Sequence, residues 1–377
     1  MPCRRDANIG CCNKVSIIRG PASVKPLIYI SSILFVFLAV SLENPAQADS
    51  WTINHWNPPF DYDVSPTSSD YRTLDAAAQK WRFCISYPHL KDPYWLSVNY
   101  GMTEEARRLG VAFRLVEAGG YPHLQRQILQ IEDCLSKGAD ALIVGTVSYQ
   151  GLTDLFARLG PDLPVIATVN DINNQGVTAK IGVSWTEMGN KVGAFLAKRH
   201  PSGSATTKIA LLPGPLGAEW VDFVLQGFYQ AITGSAVEVV TEKRGDTGKE
   251  IQRNLVEEVL EETPNIDYII GTAPTAEAAV SLLRRRDLSE QIKIVSFYLT
   301  HGVSRGINRG KILAAPTDKP VLQGKMSIEQ AVRVLEGKVL HQHMGPEILL
   351  VDQENIRSID PLLSLAPASF LPVYKFP

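Results

Sequence analysis

Five aromatic residues, Tyr94, Trp95, Tyr121, Trp185 and Tyr298, fall where an apolar run ends or a helical pattern opens. Aromatic faces attract cations, quaternary ammonium groups above all. Each ring alone is more often core than ligand contact, and Trp95 sits on an apolar stripe. The signal is their shared location. All five lie at the carboxyl edge of an expected strand or at an expected lobe crossing, where open α/β sheets hold ligands. The residues by themselves therefore point to a binding protein for a small ligand, with methylated ammonium compounds among the chemistries that fit.

The stretch 88–102 positions the first two rings. The apolar run Phe83–Tyr87 reads as a strand. Asp92 and Pro93 then read as a helix start: an acceptor for orphan N–H groups, followed by a ring already set at helical φ. Trp95, Val98, Met102, Ala106 and Leu109 follow at spacings of 3, 4, 4 and 3, the stripe of an amphipathic helix. Tyr121 follows Gly119-Gly120 after a second strand. Trp185 opens a helix at the seam between two similar halves. Tyr298 ends a strand in the second half.

From Arg82 onward, apolar runs near 82–87, 111–116, 140–144, 164–169, 207–212, 236–241, 267–270, 292–296 and 312–315 alternate with helical patterns. That alternation predicts an α/β fold with parallel sheets covered on both faces. The expected organisation is two Rossmann-like lobes joined by a multi-strand hinge. One lobe takes 82–184 plus about 319–340, and the other takes 185–318 plus about 341–377. Residues 49–81, rich in Trp, Pro, Asp and Ser, read either as an arm on the body or towards a partner, or as a loose leader.

Residues 1–48 read as an export signal. They carry a basic start, an apolar run Leu27–Leu42 and the small-x-small end Ala46-Gln47-Ala48, so cleavage is expected before Asp49. An uncleaved anchor is the competing reading, although the run of 16 residues is short for a span. The remaining 329 residues hold 32 Lys and Arg against 37 Asp and Glu, which leaves no basic surplus for nucleic acid. Their two cysteines, Cys84 and Cys134, stand on the first strand and on a helix that should pack against it. A disulfide is expected in an oxidising compartment, with two buried thiols as the alternative.

Enzyme signatures are missing: no Walker loop, no Gly-x-Ser-x-Gly elbow, no His-Glu-x-x-His. His341 and His343 lack further ligands and read as surface loop. Gly-Pro-Leu-Gly at 214–217 reads as a plain strand–helix turn. Glu257, Glu258, Glu261 and Glu262 read as a solvated helix face, and Arg284–Arg286 as a helix end suited to the dipole. No cofactor and no metal are expected.

The run Tyr87-Pro-His-Leu-Lys-Asp-Pro-Tyr-Trp-Leu-Ser-Val-Asn-Tyr-Gly-Met102 resembles that of the periplasmic trimethylamine N-oxide-sensing proteins, within the type I, LacI-like and ribose-binding superfamily. The likeness continues through Glu117–Tyr121, Gly182–Gly189, Glu250–Leu255, Gly271–Ala279, Val295–Leu299 and Pro372–Tyr374. It covers roughly Trp81 to Tyr374. The resemblance implies a non-enzymatic periplasmic protein that binds trimethylamine N-oxide. The implied partner is the periplasmic sensor domain of a TorS-like membrane histidine kinase that controls the corresponding reductase. It also implies a ligand cage of Asp92, Tyr94, Trp95, Tyr121, Trp185 and Tyr298. The runner-up reading is the solute-binding subunit of a transporter for a sugar or another small molecule.

The ligand has a compact methylated nitrogen and one strongly accepting oxygen. Rings can surround the first; the second needs donors, from a Trp N–H, a Tyr O–H or helix-start N–H groups. Asp92 is expected chiefly to cap its helix and secondarily to face the positive end. Trp185 and Tyr298 should reach the ligand only when the cleft shuts.

Overall fold

In the computed structural model, which describes residues 50–377, strands and helices alternate through two similar halves. The first half begins with a hairpin, β1 (Ser50–His55) and β2 (Thr67–Arg72). It continues through β3 (Arg82–Tyr87), α1 (Pro93–Leu109), β4 (Ala112–Glu117), α2 (Leu124–Ser136), β5 (Ala141–Val144), α3 (Thr153–Leu159), β6 (Val165–Val169) and β7 (Ala179–Gly182). The second runs through α4 (Trp185–Arg199), β8 (Thr207–Leu212), α5 (Glu219–Ile232), β9 (Val237–Glu242), α6 (Lys249–Glu262), β10 (Tyr268–Gly271), α7 (Ala273–Arg285), β11 (Lys293–Ser296), α8 (His301–Asn308) and β12 (Ala314–Thr317). The chain then returns through α9 (Pro320–Leu335), β13 (His343–Gly345), β14 (Leu349–Asp352) and β15 (Lys375–Phe376). The leader read over residues 1–48 lies outside the described residues.

The two sheets repeat one topology. The first has the order β15-β4-β3-β5-β6-β7-β13-β1-β2 and the second β14-β12-β11-β10-β8-β9. Numbered within each half, both cores follow the doubly wound order 2-1-3-4-5, with parallel ladders. The strand order reverses between β3 and β5 in one sheet and between β8 and β10 in the other. A crevice opens at the carboxyl ends of such a switch point. The chain crosses between the sheets after β7, after β12 and after β13, so the hinge is three segments wide before the tail returns to β15.

The helices that open at these crevices pack in close pairs, α1 on α9 and α4 on α5. Glycines permit the approach. A Cβ on Gly101 would stand 1.9 Å from the Val321 carbonyl oxygen, and one on Gly189 1.8 Å from that of Val224. Each crossing holds at a fixed height the first turn that carries the aromatic rings.

Two sequence expectations need correction, and one open alternative is decided. The segment 341–377 was grouped with the second lobe, yet β13 pairs with β7 and β15 pairs with β4 in the first sheet. Hydrogen bonds to distant strands decide this, and no local pattern carries them. Residues 50–72 are no loose leader: β1 pairs with β13 and extends the first sheet. His343 is not surface loop. It is fully buried in β13, stacks on Trp56 at 4.4 Å and accepts the Phe60 N–H at Nδ1 over 3.0 Å. Burial pushes its pKa down to about 3, so it packs as a neutral ring.

Cys84 on β3 and Cys134 on α2 are bonded, with Cα atoms 5.9 Å apart and 50 residues of separation. Closing a loop of that length restricts the unfolded chain by about 4 kcal/mol in the entropic account. Reduction is expected to lower the unfolding free energy by about 2–4 kcal/mol. Denaturant melts with and without reductant check this; superimposable curves would contradict it.

Candidate functional site

The six residues singled out from the sequence converge on one enclosed cavity. Asp92, Tyr94, Trp95, Tyr121, Trp185 and Tyr298 all line it, joined by Asn170, Trp220 and Thr247. Its volume is about 20 Å³, by a measure in which one water needs about 10–15 Å³. The site is thus small and aromatic, and the residues that line it are buried.

Each wall has a local cause. Asp92 caps α1: its Oδ1 accepts the Tyr94 N–H at 2.9 Å, and Pro93 occupies the first helical position. Tyr94 and Trp95 are thereby set at the β3 edge. The outer edge of the Trp95 ring lies against Gly145, just past β5, where a Cβ would meet it at 2.4 Å. Only a residue without a side chain leaves room for that ring at the switch point. Ser184 caps α4 by accepting from the Glu187 N–H, which sets Trp185 at the helix start. Trp220 sits in the first turn of α5, the helix after β8, and so mirrors Trp95 in the second half. Its ring lies 5.1 Å from Trp185, 5.9 Å from Tyr121 and 6.5 Å from Tyr298.

A count of protons separates wall from donor. Tyr94 gives its O–H to Asp318 Oδ2 at 2.5 Å, and Tyr298 gives its O–H to Asp92 Oδ2 at 2.5 Å. Trp185 Nε1 donates to the Val169 carbonyl at 3.1 Å. The Asn170 amide donates to Tyr121 Oη and to the Thr146 carbonyl. Tyr121 Oη accepts from Asn170, and its own proton has no acceptor among the described residues. Trp220 Nε1 is buried and has no partner among the described residues. Trp220 Nε1–H and Tyr121 Oη–H are thus available to an occupant. The helix-start N–H of Tyr94, one of the donors expected from the sequence, is already taken by Asp92.

The one carboxylate on the cavity wall is Asp92. Burial raises its pKa to about 6, against the Tyr298 and Tyr94 hydrogen bonds, which lower it. Asp318 behind Tyr94 is likewise raised by burial.

The two halves meet around the cavity. Besides the Tyr298–Asp92 bond, Thr247 Oγ1 lies 2.9 Å from His89 Nε2, and Lys91 Nζ 2.6 Å from Asp246 Oδ2. The Tyr149 N–H donates to Glu219 Oε2 at 2.8 Å. The His89 ring packs edge-on against Tyr121 at 5.6 Å, so these cross-cleft contacts touch the cage itself. Burial holds the His89 pKa down near 4, and the ring is neutral at ordinary pH.

Trp220, Asn170 and Thr247 escaped the sequence reading. A signal for Trp220 was present: strand, short turn, aromatic in the first helical turn, as at Trp95. Asn170 directly follows β6 and Thr247 sits in the loop before α6, both polar residues without distinguishing neighbours.

Two doubly wound halves closed on a buried aromatic cavity define a bilobal binding protein. The chain belongs to the periplasmic binding proteins, whose domain model matches residues 83–339. Within them its family is that of TorT. It is 41% identical over 305 residues to periplasmic protein TorT of Escherichia coli K12, across 80% of this chain and 86% of that one. Two solved complexes of TorT with the TorS sensor domain, without ligand and in the presence of TMAO, match with TM-scores of 0.71 and 0.72. Both are 42% identical and cover 78% of this chain and 100% of TorT. An ABC transporter solute-binding protein from Bradyrhizobium sp. BTAi1, solved with bound bis-tris, is 46% identical with a TM-score of 0.73. That match covers 86% of this chain and 98% of the other.

Proposed function

We propose that this protein binds trimethylamine N-oxide in the cavity and signals to the periplasmic sensor domain of a TorS-like histidine kinase that controls the reductase for that compound. The observation that carries the reading is the proton count. Five aromatic rings from the sequence reading and Trp220 offer faces to a methylated nitrogen, while two buried donors lack an acceptor. That pairing fits one cationic head and one strongly accepting oxygen. The relative solved with TorS and TMAO supports the same partner and ligand.

Asp92 faces the positive end, and Trp220 Nε1 and Tyr121 Oη hold the oxygen. Tyr298, Trp220 and Thr247 reach the ligand from the second half, and Tyr94, Trp95 and Tyr121 from the first. A ligand touching both favours the closed form by its differential affinity for it. The protein acts by binding, without catalysis. It works in the periplasm after removal of its leader before Asp49.

A transport role is the second reading, favoured by the solute-binding relative from Bradyrhizobium. A gene for a permease rather than a kinase beside this one would support it. A thermal-shift screen tests the ligand: trimethylamine N-oxide should raise the melting temperature, and ribose should leave it unchanged. The reverse result would overturn the assignment.

A further inference from the structure

Adjoining the cavity at Trp185 lies an open groove of about 850 Å³. Its walls come from both halves: the 56–66 loop on one side, α4 and α5 on the other, and the crossings at 183–184 and 346–348 as its floor. Trp185 lines both the groove and the ligand cavity, so its ring is shared between them.

The groove is acidic and aromatic. Within it, Asp171 is paired with buried Lys180 at 2.6 Å and Glu187 with Lys191 at 3.1 Å. Asp61, Asp63 and Glu347 line it without an ion pair among the described residues. Phe60, Tyr62 and Phe223 line it as well, with the Lys180 ammonium 5.6 Å from the Phe60 ring centroid. Carboxylates interleaved with rings suit lysine or arginine side chains, which pair with the first and stack on the second.

We infer that this hinge-side groove is the docking surface for the kinase sensor domain, and that it takes a basic segment of that partner. The inference rests on the kinase reading given above. A groove built from both halves and two crossings changes width whenever the halves rotate. A segment seated there is therefore sensitive to closure, and the Trp185 ring couples it to the occupant of the cavity. The hairpin 50–72 and its connecting loop acquire a role on this account: they raise one wall of the groove and leave the ligand site untouched.

The test uses the full mature chain and the purified periplasmic sensor domain of the cognate kinase. The triple reversal D61K/D63K/E347K should weaken sensor-domain binding at least ten-fold and flatten its salt dependence. Calorimetry with trimethylamine N-oxide should give the wild-type affinity, because none of the three lines the cavity. A reversal of two exposed charges on the outer face, E238K/E250K, should leave sensor-domain binding intact. If the wild type binds the sensor domain and the triple variant binds equally well, this inference is overturned and the kinase reading stands. A wild type that binds no sensor domain overturns both. Equal losses in the two variants would mean bulk charge rather than a docking surface. Altered self-association of the triple variant with unchanged sensor binding would assign the groove to a second copy of the chain; both outcomes overturn the inference.

Discussion

Replacing Trp220 with alanine is expected to weaken trimethylamine N-oxide binding by about 2–3 kcal/mol, roughly 30- to 150-fold. Two losses combine. The ring is one face of the cage, in contact with Trp185, Tyr121 and Tyr298. Its Nε1–H is a buried donor with no partner among the described residues, and an accepting oxygen satisfies it. Trp220→Phe separates the two. It keeps most of the face and drops the donor, so it should cost about 1 kcal/mol. The Phe variant also guards against a trivial result, since truncating a buried Trp can unfold the second half. Tyr121→Phe removes the other donor and should cost a similar amount. If both Phe variants bind like the wild type, the oxygen is not where the proton count places it.

The second large effect is a pH dependence governed by Asp92. Burial raises its pKa in the empty folded protein to about 6, well above its value in an unfolded chain. A raised carboxyl pKa favours the protonated folded form. The contribution of Asp92 to stability is therefore fully present below about pH 4 and is lost as pH rises through about 6. Ligand affinity runs the other way. A methylated cationic nitrogen prefers the ionised carboxylate, so binding should strengthen as pH rises through about 6 and fade below it. Asp92→Asn keeps an acceptor for the Tyr94 N–H, places an amide N–H opposite the Tyr298 hydroxyl, and removes the charge. It should bind about ten-fold more weakly near neutrality, a loss of about 1.4 kcal/mol, and show a flat profile between pH 5 and 8. Calorimetry across that range reads both. A wild-type affinity that rises on acidification would place the oxygen, not the ammonium, against Asp92.

Much of this site could be read from residue order because its cause is local. Asp92-Pro93 starts a helix wherever it follows a strand, and the stripe from Trp95 to Leu109 fixes which face is buried. Tyr94 and Trp95 were therefore placed at a crevice before any coordinates. Trp220 obeys the same rule after β8, in the first turn of α5 behind the Gly-Pro-Leu-Gly turn. The hinge and the sheet edges were harder to read. β7, β13, β14 and β15 are four residues or fewer, too short to show a period, and each owes its strand form to a ladder with a distant partner. The burial of His343 has the same origin, since its neighbours Trp56 and Phe60 arrive from a hairpin nearly 290 residues away. The proton count was beyond sequence altogether. That Tyr94 and Tyr298 have spent their hydroxyls, while Trp220 and Tyr121 have not, depends on pairs more than 200 residues apart, such as Tyr298 with Asp92.

The most direct test of the central claim is titration calorimetry of the mature, disulfide-bonded protein with trimethylamine N-oxide and, in parallel, with ribose. The account predicts saturable one-to-one binding of the N-oxide, lost on Trp220→Ala, and no heat from ribose. Binding of ribose without binding of the N-oxide, or an N-oxide affinity indifferent to both Trp220→Ala and Tyr298→Ala, would contradict it.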